Sequence, residues 1–290
     1  MKKARTVRVG HRGTDFCLAQ TTAVVERLKE EHPSVSFEIL SFPGPESAVL
    51  DMLGAGGCDL HIRGARELPV DLPEGVTLAA CTERRDPFDV LVTQDGSLLE
   101  ELPPGAALGV ESARVRIQIA AFRGDLDLKK LDGSVDGLYA ALERAQIVGF
   151  IVAAEDVETL GWQSSVSEVF PPDIVLPAAG QGSTALLVRE GDDATAQIVR
   201  ALDDKTTHKV VDAERAFLRE LHVDPAHPVA VHGRFDDDML VLEALLGDEV
   251  SGAILRDDLD GTPDEGADLG VRLAKLVLAD GARDYLAGYR

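Results

Sequence analysis

The period of apolar positions changes repeatedly along the first sixty residues. "TVRVGH" (6–11) alternates as a half-buried strand does. "TDFCLAQTTAVVERLKEEHP" (14–33) spaces its apolar residues as a helix does, with Thr14 as a candidate N-cap and Pro33 beyond its end. "VSFEILSF" reads as a second strand, "ESAVLDMLGAGG" as a short helix after Pro43, Gly44 and Pro45, and "CDLHIRG" as a third strand. This order, β-α-β-α-β, predicts a parallel sheet covered by helices.

The order recurs after "RRDPFDVLVTQDG". "AALGVES", "DLDLKKLDG" and the start of "IVGFIVAAEDVETLGW" are strands; "ARVRIQIAAFRG" and "VDGLYAALERAQ" are helices. "VLPAAGQGSTALLVREG" offers a strand that returns to the first sheet, and "DDATAQIVRALDD" and "HKVVDAERAFLRELH" are helical. Three strands ("VAVHGRF", "MLVLEALLG", "SGAILRDDL") and one helix from residue 264 close the chain. The expected fold class is α/β in three domains: residues 1–87 with 183–202, residues 88–182, and an α+β domain over 206–290.

Composition narrows the functions. The chain has 290 residues and a net charge of −22. A field of that sign repels a phosphate backbone, so no nucleic-acid partner is expected. No apolar run reaches the length of a membrane span and "MKKARTVRVG" lacks a signal-peptide core, so no membrane association is expected and the location is read as cytoplasmic. Cys17, Cys58 and Cys81 are too few and scattered for a disulfide framework. His222, His227 and His232 recur every fifth residue, but a loop running into a strand would not gather them, so no metal is expected.

In open α/β sheets, ligands meet residues just beyond strand ends. Those positions hold His11, Arg12 and Thr14; then Arg63, Arg66 and Glu67; then Glu111, Ser112 and Arg114 at a helix start, where free N–H groups suit an anion. Gln181 sits between Gly180 and Gly182, which permit close backbone approach. Arg12, Thr14, Arg66, Ser112, Arg114 and Gln181 are the candidate ligand-binding residues, for a ligand bearing carboxylates or phosphates in a cleft between two α/β domains. Ordinary surface arginines and helix caps would leave the same pattern.

In order along the chain, these residues resemble the hydroxymethylbilane synthase (porphobilinogen deaminase) family. "VRVGHRGTDFCLAQ" is similar to that family's "IRIGTRxSxLALWQ", and "ARELPVDLPEGV" to "xKDxPxxLPxGL". "LGVESARVRIQI" is similar to "VGTSSLRRxAQL"; "LPAAGQG" and "AERAFLREL" match outright. The resemblance implies two domains of periplasmic-binding-protein type, a third domain carrying a dipyrromethane cofactor on a cysteine, a catalytic aspartate, and arginines that hold acetate and propionate groups.

Against that pattern the chain departs in four places. "GGCxxP" becomes "VDPAHP", with Pro225 at the cysteine, and a thioether cannot form on proline. The aspartate becomes Glu67, one methylene longer, and the preceding lysine Arg66. The second arginine of the pair is Val115, and "RGNVxTR" is "DGSVDGL", placing Asp132 and Leu138 at arginine positions. A long mobile stretch between the second and third strands is reduced to "PGPESAVLDMLGAGG". These departures lead to an expectation of a degenerate monomeric relative without dipyrromethane, binding a small carboxylate- or pyrrole-bearing ligand or a partner. The alternatives are an active, divergent synthase anchoring its cofactor elsewhere, as on Cys58, and an enzyme of altered chemistry using Glu67.

Overall fold

The computed structural model describes residues 5–130, 135–223 and 226–286. Contacts divide the chain into two compact units, 1–84 with 183–208 and 85–182 with 209–290.

The first unit opens with β1 (Thr6–His11), α1 (Asp15–Glu31), β2 (Ser36–Ser41), α2 (Glu46–Gly54) and β3 (Leu60–Gly64). A short 3-10 turn over Ala65–Glu67 and β4 (Val76–Cys81) follow. In the second unit come β5 (Asp89–Thr93), β6 (Ala107–Val110), α3 (Ala113–Phe122), β7 (Asp127–Lys130), α4 (Val135–Glu143), β8 (Gly149–Ala153), α5 (Ala154–Thr159) and β9 (Val166–Val169). The chain returns to the first unit with β10 (Thr184–Arg189) and α6 (Asp193–Val199), and α7 (Lys205–Leu221) leads back out. The last elements are β11 (Val229–Asp236), β12 (Met239–Gly247), β13 (Ile254–Gly261), α8 (Gly266–Ala279) and α9 (Ala282–Leu286).

The first sheet has the order β2-β1-β3-β10-β4, and the second β7-β6-β8-β5-β9. In each, three parallel strands are followed by two joined antiparallel. The two sheets are thus one α/β architecture built twice, and β11-β12-β13 form a small antiparallel sheet. Central strands β3, β5 and β8 are buried along their whole length, as strands covered on both faces must be. The first core gathers Val7, Val9, Leu60, Ile62 and Leu186 under Val24, Val25 and Leu28 of α1.

One expectation changes: the periodicity predicts no strand at β4, β5 or β9, and "DVLVT", which precedes the second predicted unit, forms β5. A five-residue apolar run carries no period that separates a buried strand from other buried segments. The expected small C-terminal domain is present, with its own three-stranded sheet, and contacts group it with the second unit. Ile117 and Leu176 share a core with Ala230 and Leu245, and Arg256 donates to the Pro172 and Asp173 carbonyls. The fully buried Glu214 of α7 accepts from Gly180 N and Gly233 N, both at 2.7 Å, tying the 178–182 loop to β11.

Gly270 on α8 lies so close to α7 that a Cβ there would sit 2.0 Å from the Ala213 carbonyl oxygen. Gly270→Ala is therefore expected to cost about 1–3 kcal/mol by overpacking. Urea unfolding measures it, and a variant as stable as the parent would show that the helices separate freely.

Candidate functional site

β1 and β3 run parallel with Gly10 opposite His61, so their C-terminal ends emerge side by side. That register sets His11 and Arg12 beside Arg63, and places the N-termini of α1 and α2 at the same edge. Thr14 caps α1, accepting from Cys17 N at 3.2 Å as expected. From α2, Glu46 reaches into the group. One of its oxygens meets His61 Nε2; the other lies 3.4 Å from Arg63 Nε and 4.0 Å from Arg12 Nε. Arg63 also lies 2.5 Å from Glu67 through Nε and donates to Cys17 Sγ at 2.8 Å.

The hydrogen bonds assign protons. His61 Nδ1 faces the Gly10 carbonyl at 2.8 Å, which only accepts, so that nitrogen carries a hydrogen. Its Nε2 faces the Glu46 carboxylate. Burial acts to raise the Glu46 carboxyl, yet the His61 hydrogen bond and the charges of His61, Arg63 and Arg12 outweigh it and hold the group below its ordinary value. Burial likewise acts against the Arg63 charge, but Glu67, Glu46 and Cys17 raise it overall. Burial, with the neighbouring His61, lowers His11, whose Nδ1 accepts from Gly13 N at 3.1 Å as a neutral ring does.

The group is charge-paired but incompletely hydrogen-bonded. Arg12 Nε, Arg63 Nε, Glu46 Oε2 and Glu67 Oε2 are buried and form ion pairs but no well-formed hydrogen bond among the described residues; the oxygen nearest Arg12 Nε is 4.0 Å away, beyond hydrogen-bond reach. Two guanidinium donors are thus in place with no acceptor aligned to them. Arg66 occupies the 3-10 turn between them and Glu67, half-buried.

In the second unit Arg114 and Gln181 belong to one internal hydrogen-bond network. Arg114 is 3% exposed and forms a bidentate pair with fully buried Asp89, at 2.8 and 2.9 Å. It also donates to the Leu176 carbonyl and to Gln181 Oε1. Gln181 donates to Asp89 and accepts from Ala178 N. Both side chains are therefore engaged inside the unit. Ser112 caps α3 by accepting from Val115 N at 3.2 Å. The glycine freedom at Gly182 (φ +84°) serves the chain's own fold: a Cβ there would lie 3.0 Å from the Pro87 backbone.

Cys58 and Cys81 are fully buried, and burial with nearby Asp59 pushes the Cys58 thiol up to about 11, so it stays protonated and unreactive. Pro225, Asp224 and Asp132 lie outside the described residues. Among the described residues no group of three or more His, Cys, Asp or Glu is placed to hold a metal, and no helix is long and apolar enough to cross a membrane. Glu46 and His61 had not been singled out. Glu46 leaves only a weak trace in the sequence, an acidic residue opening a short helix, and His61 lies inside a strand rather than beyond its end.

Twin α/β layers, one of them with a cluster of arginine and glutamate side chains at its strand ends, define a two-unit α/β class of protein. Residues 46–197 match the model of the porphobilinogen deaminase dipyromethane cofactor binding domain, and residues 208–279 that of the porphobilinogen deaminase C-terminal domain. The porphobilinogen deaminase of Thermus thermophilus is 36% identical over 300 residues, covering 99% of this chain and 100% of that one. That of Deinococcus radiodurans is 34% identical, covering 99% of each. Among solved structures, the lipoprotein Tp32 of Treponema pallidum (15% identity, 70% of this chain and 92% of that one) superposes with a TM-score of 0.49. The methionine-binding protein MetQ (13% identity, 71% and 94%) superposes with 0.48. The chain belongs to the porphobilinogen deaminase family.

This overturns the expectation, drawn from Pro225, that no dipyrromethane is associated with the chain: more than half of it matches the domain that binds that cofactor. The first unit fits such a group chemically, since the unmatched Arg12 and Arg63 donors suit carboxylate substituents.

Two outcomes follow from this geometry. Arg114→Ala strands the Asp89 charge in the interior and is expected to cost about 3–5 kcal/mol, measurable by chemical denaturation; a loss below 1 kcal/mol, about that of an exposed pair, would contradict it. Because the folded Glu46 value is depressed, its stabilisation is full above the unfolded value of about 4.3 and is lost as pH falls through the folded one. Acid titration of unfolding should show that loss, and Glu46→Gln should flatten it.

Proposed function

We propose that the first unit binds an acidic pyrrole at the Arg12–Arg63–Glu67 group, and that dipyrromethane is held there by charge and hydrogen bonds rather than by a thioether at position 225. The observation that carries this reading is the pair of buried guanidinium Nε donors without aligned acceptors beside a carboxylate. Arg12 and Arg63 bind carboxylate substituents. Glu67, kept in place by Arg63, accepts a pyrrole N–H and stabilises positive charge that develops on the ring as ammonia leaves. Arg66, preceding Glu67 in the same turn, adds positive potential. When bound, dipyrromethane supplies the electron-rich pyrrole end from which a chain of porphobilinogen units grows.

Polymerisation is weakened in this reading. Glu67 carries its carboxylate one methylene further than the family's aspartate, and a displacement of about 1 Å in a tuned site can cost about a hundredfold. Val115 and Leu138 replace cations that would hold the acidic substituents of a longer chain, and both are buried apolar residues.

Native mass spectrometry is expected to show a mass increment of two pyrrole rings that disappears under denaturing conditions. An increment that survives denaturation would locate a covalent bond and overturn the non-covalent reading. Porphobilinogen consumption should be slow, faster in Glu67→Asp and abolished in Glu67→Gln. Arg12→Ala should weaken porphobilinogen binding by about 1.5–3 kcal/mol if one charge-assisted hydrogen bond is lost, as read by calorimetry. Parental consumption at the rate of the Thermus thermophilus relative would refute the weakened chemistry.

A further inference from the structure

Glu46 stands where a ligand carboxylate would. It comes from α2, whose N-cap Pro45 makes no side-chain hydrogen bond, yet its carboxylate does not stay with the free N–H groups of its own helix. It turns to His61 and Arg63 of β3 and to Arg12, just beyond the end of β1. Its side chain is 18% exposed, against 8% for Arg63 and 32% for Arg12, so it lies between the buried and the open members of the group. It neutralises the two arginines without satisfying them: its Oε2 accepts no hydrogen bond, and both Nε atoms remain undonated. A residue selected only to stabilise the fold would complete those bonds, as Asp89 does with Arg114.

We infer that Glu46 is a built-in carboxylate that fills one anion subsite of the first unit and so sets how many carboxylates its ligand can bring. With Arg12 and Arg63 balanced by Glu46 and Glu67, a second ligand carboxylate meets a like charge within a few ångströms and is disfavoured. Removal of the Glu46 charge frees one cation equivalent. The ligand class favoured by the parent is therefore a monocarboxylate, or an acidic pyrrole engaging through one carboxylate, and the charge-free variant admits a dicarboxylate. This inference deepens the binding reading given above and rests on the same site.

Calorimetric titration of the full chain and of Glu46→Gln with succinate and with porphobilinogen tests it. Glu46→Gln is nearly isosteric and keeps an acceptor for His61. It is expected to bind succinate at least about tenfold more tightly than the parent through loss of the like charge. In Glu46→Ala, added acetate should occupy the vacated subsite and raise the melting temperature, an effect absent from the parent. Succinate binding no tighter in Glu46→Gln than in the parent overturns the inference. Should Glu46→Gln not fold, the refolding yield of Glu46→Ala decides: a rise with acetate supports the subsite, an unchanged yield refutes it. The two readings fail separately. Tighter succinate binding with no porphobilinogen binding to either protein removes the pyrrole and keeps the subsite. Porphobilinogen binding to the parent with no response to Glu46→Gln keeps the pyrrole and removes the subsite.

Discussion

A guanidinium buried at the end of a fully buried strand must keep its charge and find partners, and Arg63 in β3 imposes that demand on everything around it. An unpaired interior charge is costly enough that a fold containing one reorganises or titrates. Here Glu67 comes from the turn that immediately follows the strand, Glu46 from the first turn of α2, and Cys17 from the first turn of α1. Three separate segments are thereby drawn to one strand end. The partners balance Arg63 and Arg12 in charge while leaving both Nε atoms without a well-formed hydrogen bond.

The second unit solves the same problem differently. Arg114 is as buried as Arg63, but Asp89, Gln181 and the Leu176 carbonyl engage it in a closed network. Gln118 extends that network by bonding Leu176 through both its carbonyl and its amide. A closed network specifies a structure and leaves nothing for a ligand; an open one can bind. Two arginines at similar levels of burial are thus paired differently, and hydrogen-bond geometry distinguishes them where burial and charge do not.

The family relationship and the altered motifs are compatible once anchoring and recognition are separated. A thioether needs a cysteine, and position 225 has none. Recognition of an acidic pyrrole needs cations and a carboxylate near them, and the first unit holds those.

The sequence by itself determined the family, the two β-α-β-α-β layers with a small terminal sheet, and the caps Thr14 and Ser112. These rest on local periodicity, on side-chain-to-backbone hydrogen bonds within three residues, and on motifs that keep their order. It also marked Arg12, Arg66 and Glu67 at strand ends, since topology alone puts such residues at a sheet's carboxyl edge. Only the tertiary structure decided that β5, a short apolar run without period, is a central strand. It alone separated Arg114 from Arg63, because Asp89 and Gln181 lie 25 and 67 residues from Arg114 in the chain. It alone brought Glu46 to His61 across 15 residues. Pairing over such separations depends on which strands lie side by side and in what register, and no local pattern encodes that.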